Sequence, residues 1–179
     1  MIDPKDIYAP PGFVVEKIYA VPKDQGSWVS LATDPKGRIY ACDQAGAGLY
    51  RMSFSNGKLK KVEKVSVDGL SSVSGAQGMH WAYDCLWIHR NGGNLLRLTD
   101  SDGDDLLDAV ETIPSTTGGG EHGNHAVLPT PDGQGLFMDG GNAASLASHT
   151  RSRVPVWYEG HILPRMWDAN GHARGRMVP

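Results

Sequence analysis

The chain has little cysteine, no long apolar run, no excess of positive charge and no stretch of helical periodicity, and each shortage removes a class of protein. Two cysteines in 179 residues, Cys42 and Cys85, make no disulfide framework. Neither lies in a CxxC or CxxCH arrangement, so the chain has no thiolate zinc knuckle and no covalent haem attachment site. Two buried free thiols are expected instead. The 17 Lys+Arg stand against 20 Asp+Glu, a net charge of -3 with no basic stripe, so nucleic acid is not an expected partner. No apolar run approaches the roughly 20 residues of a membrane-crossing helix. The first residues, MIDPKDIYAPPGF, lack the cationic start and apolar core of a signal peptide.

What is plentiful is turn chemistry. There are 23 glycines and 11 prolines, with 40% hydrophobic residues to fill a core, in a chain of single-domain length. Residues 1–12 read as an extended lead-in, and Phe13–Tyr19 as a first β-rich run. Ser27–Ala32 then leads to a turn at Asp34-Pro35-Lys36-Gly37, where Asp bonds the backbone ahead, Pro fixes φ and Gly accepts a positive φ. Arg38–Cys42 returns and Gly48–Met52 follows. The same order recurs as Met79–Asp84, Cys85–His89 and Asn94–Leu98. It recurs again as His125–Leu128, a turn at Pro131-Asp132-Gly133, and Gly135–Met138. Leu49-Tyr50-Arg51 and Leu95-Leu96-Arg97 stand at matching places in the first two copies.

A repeat of about 40–50 residues, each holding several short strands, predicts an all-β chain of the β-propeller type. The alternative is an antiparallel sandwich with accidental internal similarity. The copies divide the chain into a lead-in at 1–12 and blade regions at 13–74, 75–117 and 118–179, the last including the start of a further blade. Three to four blades do not close a ring easily, and Trp157–Pro179 shows no closing strand, so the chain reads as part of a larger propeller.

Two segments carry chemistry. From Asp100 the acidic loop offers Asp100, Asp102, Asp104, the Leu106 carbonyl, Asp108 and Glu111 at positions 1, 3, 5, 7, 9 and 12. That is the ligand spacing of an EF-hand loop, with oxygen donors that suit Ca²⁺ better than Mg²⁺. It departs at position 6, where Asp105 stands in place of Gly, and no helices flank it. A solvated acidic turn is the competing reading. The second segment is Gly118-Gly119-Gly120-Glu121-His122-Gly123-Asn124-His125, at the entry to the third copy. His122 and His125 suit a general base or a redox-cofactor contact, while turn capping or plain burial is the alternative for either. Arg90 ends the return strand of the second copy as a cation for an anionic cofactor. Glu121, beside the histidines, and Asn142, near the matching place in the third copy, are candidate cofactor contacts. His80 is a weaker candidate. Trp28, Trp81 and Trp87 are either core or stacking surfaces for sugar.

Asp24–Met52, Gly75–Ile113, Gly118–Asn142 and His161–Pro179, above all the Glu-His-Gly-x-His and DxDGD segments, resemble one group. It comprises the large haem-binding, dehydrogenase-like propeller proteins of planctomycetes and their relatives. These are distantly similar to pyrroloquinoline-quinone-dependent sugar and sorbosone dehydrogenases. The resemblance implies an exported, periplasmic six-bladed propeller that oxidises a sugar or related alcohol, using pyrroloquinoline quinone. It also implies a c-type cytochrome module or partner, and a catalytic histidine at His122 or His125. This chain departs by lacking CxxCH, by spanning about half such a propeller, and by having Asn124 where Pro is common. The alternatives are a non-catalytic carbohydrate- or protein-binding propeller with a structural calcium loop, and an inactive truncated fragment.

Overall fold

The computed structural model describes residues 3–67, 73–115, 119–120, 122–141, 144 and 176–178, the last stretch as backbone only. The described chain is all-β, apart from two 3₁₀ turns at Pro4–Asp6 and Lys23–Gln25. Sheet 1 is the antiparallel meander β1 (Trp28–Thr33), β2 (Ile39–Asp43), β3 (Leu49–Ser55) and β4 (Lys58–Val65). Sheet 2 repeats it as β5 (Ala76–Ala82), β6 (Cys85–Arg90), β7 (Leu95–Thr99) and β8 (Ala109–Ile113). Sheet 3 pairs β9 (Asn124–Pro129) with β10 (Leu136–Gly140), and β10 with β11 (Arg176–Val178). β11 lies within Trp157–Pro179, where no closing strand was expected, and extends the β9–β10 hairpin.

Each hairpin has a local cause. At Asp34–Gly37 the Asp34 carboxylate accepts from the Lys36 and Arg38 amides, and Gly37 takes φ 74°. Asn56 and Gly57 have φ 50° and 73°, the left-handed pair that a two-residue hairpin of matched twist needs. Tyr83 and Asp84 adopt the same pair at 56° and 57° without a glycine. The Tyr83 hydroxyl donates to the Gly135 carbonyl at 2.7 Å, tying this hairpin to the β9–β10 hairpin.

The first strands of successive sheets lie side by side, β1 next to β5 and β5 next to β9. Period-2 alternation then gives each face a neighbour. Tyr40, Cys42 and Leu49 of sheet 1 meet Met79, Leu86, Ile88, Leu96 and Leu98 of sheet 2 in one apolar layer. The opposite face of sheet 2, with Gly78 paired to His89, turns toward sheet 3. Here the approach is so close that a Cβ on Gly78 would collide with the His125 carbonyl oxygen. On the outer side of sheet 1, Trp28 stacks between Tyr19 and Tyr50, with centroids 5.5 and 5.2 Å apart. Residues 13–19 join no ladder, so the strand expected there is absent.

Candidate functional site

The sequence places the acidic loop and the histidine segment in one continuous stretch; the fold separates them. β6 runs from the Tyr83–Asp84 hairpin to Arg90, and β7 runs back to Thr99, where the acidic loop begins. Six strand residues at about 3.3 Å each put roughly 20 Å between Arg90 and that loop. β9 starts at the Arg90 end.

At that end a side chain from sheet 3 grips sheet 2. Asn124, fully buried, donates through Nδ2 to the carbonyls of Arg90 (3.1 Å) and Gly93 (3.0 Å). This brings Arg90 beside the segment in which His122 is exposed and His125 half-buried. Gly141 donates its amide to the Gly123 carbonyl at 2.7 Å, and any Cβ there would strike the backbone of His122. The histidine turn is therefore fixed by backbone contacts. Arg90 Nε donates to the Ser74 carbonyl at 3.2 Å, and the Asn91 amide to the Gly75 carbonyl at 2.8 Å. Asn91 Oδ1 is buried without a hydrogen-bond partner among the described residues. It faces Gly119, where a Cβ would come within 3.3 Å of it. His80 lies half-buried on β5, paired with Trp87. Glu121 and Asn142 lie outside the described residues.

No family model matches the chain, and no curated protein matches it.

Sheet 1 has its own lock at the same end. Asp43, 1% exposed, accepts from the amides of Ser27 (2.6 Å), Ala45 and Ala47 (both 2.8 Å). Burial alone would raise its pKa, but these backbone donors outweigh burial and hold the carboxyl below the usual range. Its carbonyl accepts from the Gly75 amide at 2.8 Å, just as the Arg90 carbonyl accepts from Asn124. With its carboxylate committed to backbone amides, Asp43 is a structural residue.

At the other end, Asp100, Asp102 and Asp104 bring one carboxylate oxygen each within 4.8 Å of one another. Asp100 also accepts from the amides of Gly103 (2.7 Å) and Asp105 (2.9 Å), which curls the loop. Asp105 takes φ 73°, the left-handed conformation that the expected glycine would supply at position 6. Its side chain crosses to sheet 1, meeting Lys36 at 2.7 Å and Arg38 at 2.6 Å, and its carbonyl accepts from Arg51 at 2.6 Å. Lys36 first, then Arg38, hold this carboxyl below the usual range.

The remaining two expected carboxylate ligands are engaged elsewhere. Asp108 accepts from Ser101 Oγ (2.7 Å) and the Ser101 amide (2.8 Å), and those bonds hold its pKa down. Glu111 sits on β8 opposite Arg97 and pairs with it at 3.2 Å. The same cross-strand pair occurs in sheet 1 between Arg51 and Glu63 at 2.8 Å. Glu111 is thus the second copy of a ladder ion pair. A cleft of about 310 Å³ beside the loop is lined by Asp34, Lys36, Arg38, Tyr40, Trp81 and Asp105 among others. Several of its charges pair with one another: Arg38 also meets Asp34 at 2.6 Å.

Sequence reasoning missed three residues here. Asn124 was readable only as a departure from Pro, Asp105 only as a misplaced glycine, and His89 not as a site residue at all. Arg97 and Glu111 could have been found by extending the Leu-x-Arg match forward to Glu63 and Glu111.

Proposed function

We propose that the three sheets are consecutive blades of a β-propeller, and that the end bearing Arg90, His122 and His125 is the reactive face of a periplasmic dehydrogenase for a sugar or related alcohol. The observation that carries this is the orphaned Asn91 Oδ1. It is a buried acceptor against Gly119, on the residue after Arg90, at the end of sheet 2 where Asn124 ties in the histidine segment. Side-by-side first strands and the repeated four-strand meander support the propeller reading.

The donor set suits a planar, anionic, N–H-bearing group such as pyrroloquinoline quinone. Arg90 would meet a carboxylate and Asn91 Oδ1 a ring N–H, with Glu121 and Asn142 as further contacts. Such a quinone supplies a two-electron acceptor, which a cytochrome module or partner would then reoxidise. The chain's own residues do the rest. His122 or His125, as free base, takes the hydroxyl proton of the alcohol, and Arg90 opposes the negative charge that develops on that oxygen. Calcium at the three aspartates, roughly 20 Å away along the strands, would act on the fold and not on the chemistry.

The test is dye-linked oxidation of an aldose and polyol panel by the protein supplied with the quinone and Ca²⁺. Replacing His122 and His125 together by Ala should abolish turnover; unchanged turnover would sink the proposal. A carbohydrate-binding module using tryptophan platforms has less support. Trp28 is stacked between two tyrosines, Trp81 against Tyr40, and Trp87 lies under Arg97.

A further inference from the structure

The layer between sheets 1 and 2 is built, among the described residues, around an apolar cluster with no histidine in it. The layer between sheets 2 and 3 contains His89, which is 0% exposed. Its Nε2 lies 2.8 Å from Ser115 Oγ, and Ser115 Oγ lies 3.7 Å from Met138 Sδ on β10. A thioether only accepts, so the hydroxyl hydrogen goes to sulfur and Ser115 Oγ accepts from His89 Nε2–H. Nδ1 is then the unprotonated nitrogen. It is buried with no hydrogen-bond partner among the described residues, and the nearby backbone of His125 and Ala126 gives it no bond of ordinary geometry.

We propose that His89 is an acid-sensitive latch between sheets 2 and 3, whose protonation releases the sheet that carries the histidine segment. A proton on Nδ1 would put a positive charge inside the seam where β9 and β10 meet sheet 2, where burial disfavours it more than the nearby His125 and Ala126 backbone favours it. The ionisable groups facing it are few. His125 approaches from β9 and opposes a second positive charge, Asp139 approaches from β10 and favours it, and Arg90 follows on the same strand. The register partners on β5 and β7 are Gly78 and Leu95, which carry no charge. Burial is the largest influence on the ring and holds its pKa below the ordinary 6.5.

The sign follows from linkage. The folded chain keeps His89 neutral while the unlatched chain takes a proton near pH 6.5, so the open form binds more protons below that pH. The latch is fully stabilising above about pH 6.5 and weakens as pH falls toward the depressed folded value. The buried Cys42 in the layer between sheets 1 and 2 has its thiol pushed up to about 11 by burial and is silent in acid.

Hydrogen exchange at pH 7.5 and 5.5, corrected for intrinsic rates, tests this on the whole protein. Opening of Asn124–Pro129 and Leu136–Gly140 should increase by up to about tenfold per pH unit, the limit for one proton, while Leu49–Ser55 changes far less. His89→Leu should remove the pH response of sheet 3. Equal responses in sheets 1 and 3, or a response unchanged in His89→Leu, would overturn the latch. Should that variant fail to fold, the wild-type ring nitrogens decide by NMR. Titration below pH 6.5 together with loss of sheet 3 protection supports the latch; titration at or above 6.5 with protection intact overturns it.

Discussion

Asp105 is the residue on which the junction of sheets 1 and 2 turns. It combines a left-handed backbone, two ion pairs to Lys36 and Arg38, and a carbonyl held by Arg51. Its backbone and side-chain roles can be separated. Asp105→Gly keeps the conformation and loses the ion pairs, which are half in water (Asp105 side chain 48% exposed) and so are worth about 1 kcal/mol in all after screening. Asp105→Ala should cost about 1–2 kcal/mol more, because a Cβ resists the left-handed region. Urea melts of the two variants measure the gap; equal midpoints would mean that the loop relaxes out of this conformation. The depressed carboxyl contributes stability above its unfolded value near 4 and loses it as pH falls through the folded value, so Asp105→Gly should also flatten part of the acid limb. Sequence alone could not reach this residue. A glycine at position 4 and an aspartate at position 6 look like a damaged loop until the partners, about 70 residues upstream, are known.

At the scale of elements, the repeat was legible and its full extent was not. Hydrophobic period and turn chemistry mark the first three strands of the first two copies and the first two of the third, because those strands bury one or both faces. β4 and β8 escaped because they are the outer strands, with mostly half-exposed or exposed residues and lysine-rich or acidic sequence. The Asn56-Gly57 turn was nonetheless a strong hairpin signal before β4. Missing β8 let Glu111 be counted as a calcium ligand, since positional spacing cannot tell a loop residue from a ladder residue. The difference is measurable. With a dissociation constant of about 0.1–1 mM, 10 mM Ca²⁺ should raise the melting temperature by roughly 3–10 °C. Asp102→Asn should remove that increment and Glu111→Gln should leave it intact. Equal losses would restore the twelve-position loop, and no increment in the wild type would make the cluster a solvated turn.

The arrangement of the whole molecule follows from stacking one sheet on the next with different faces in contact. Sheet 2 offers one face to sheet 1 and the other to sheet 3, a head-to-tail relation that either closes into a ring or continues. Sheet 1 therefore has a face with no sheet on it among the described residues. On β1, Ser30 and Ala32 turn inward while Val29 and Leu31 stand 46% and 62% exposed. Phe13 and Val14 in the lead-in are 73% and 85% exposed. Apolar side chains at alternate strand positions are what a further sheet would cover, whether from a longer polypeptide or a second copy. Sedimentation should then show concentration-dependent association of the 179-residue chain. Leu31→Lys should reduce association severalfold and leave the melting temperature within about 2 °C, because an already exposed side chain has little burial to lose. A wild-type chain that stays monomeric at high micromolar concentration and melts in one cooperative step would mean that three sheets suffice. The propeller reading would then fail at the level of architecture, whatever the histidine end proves to bind.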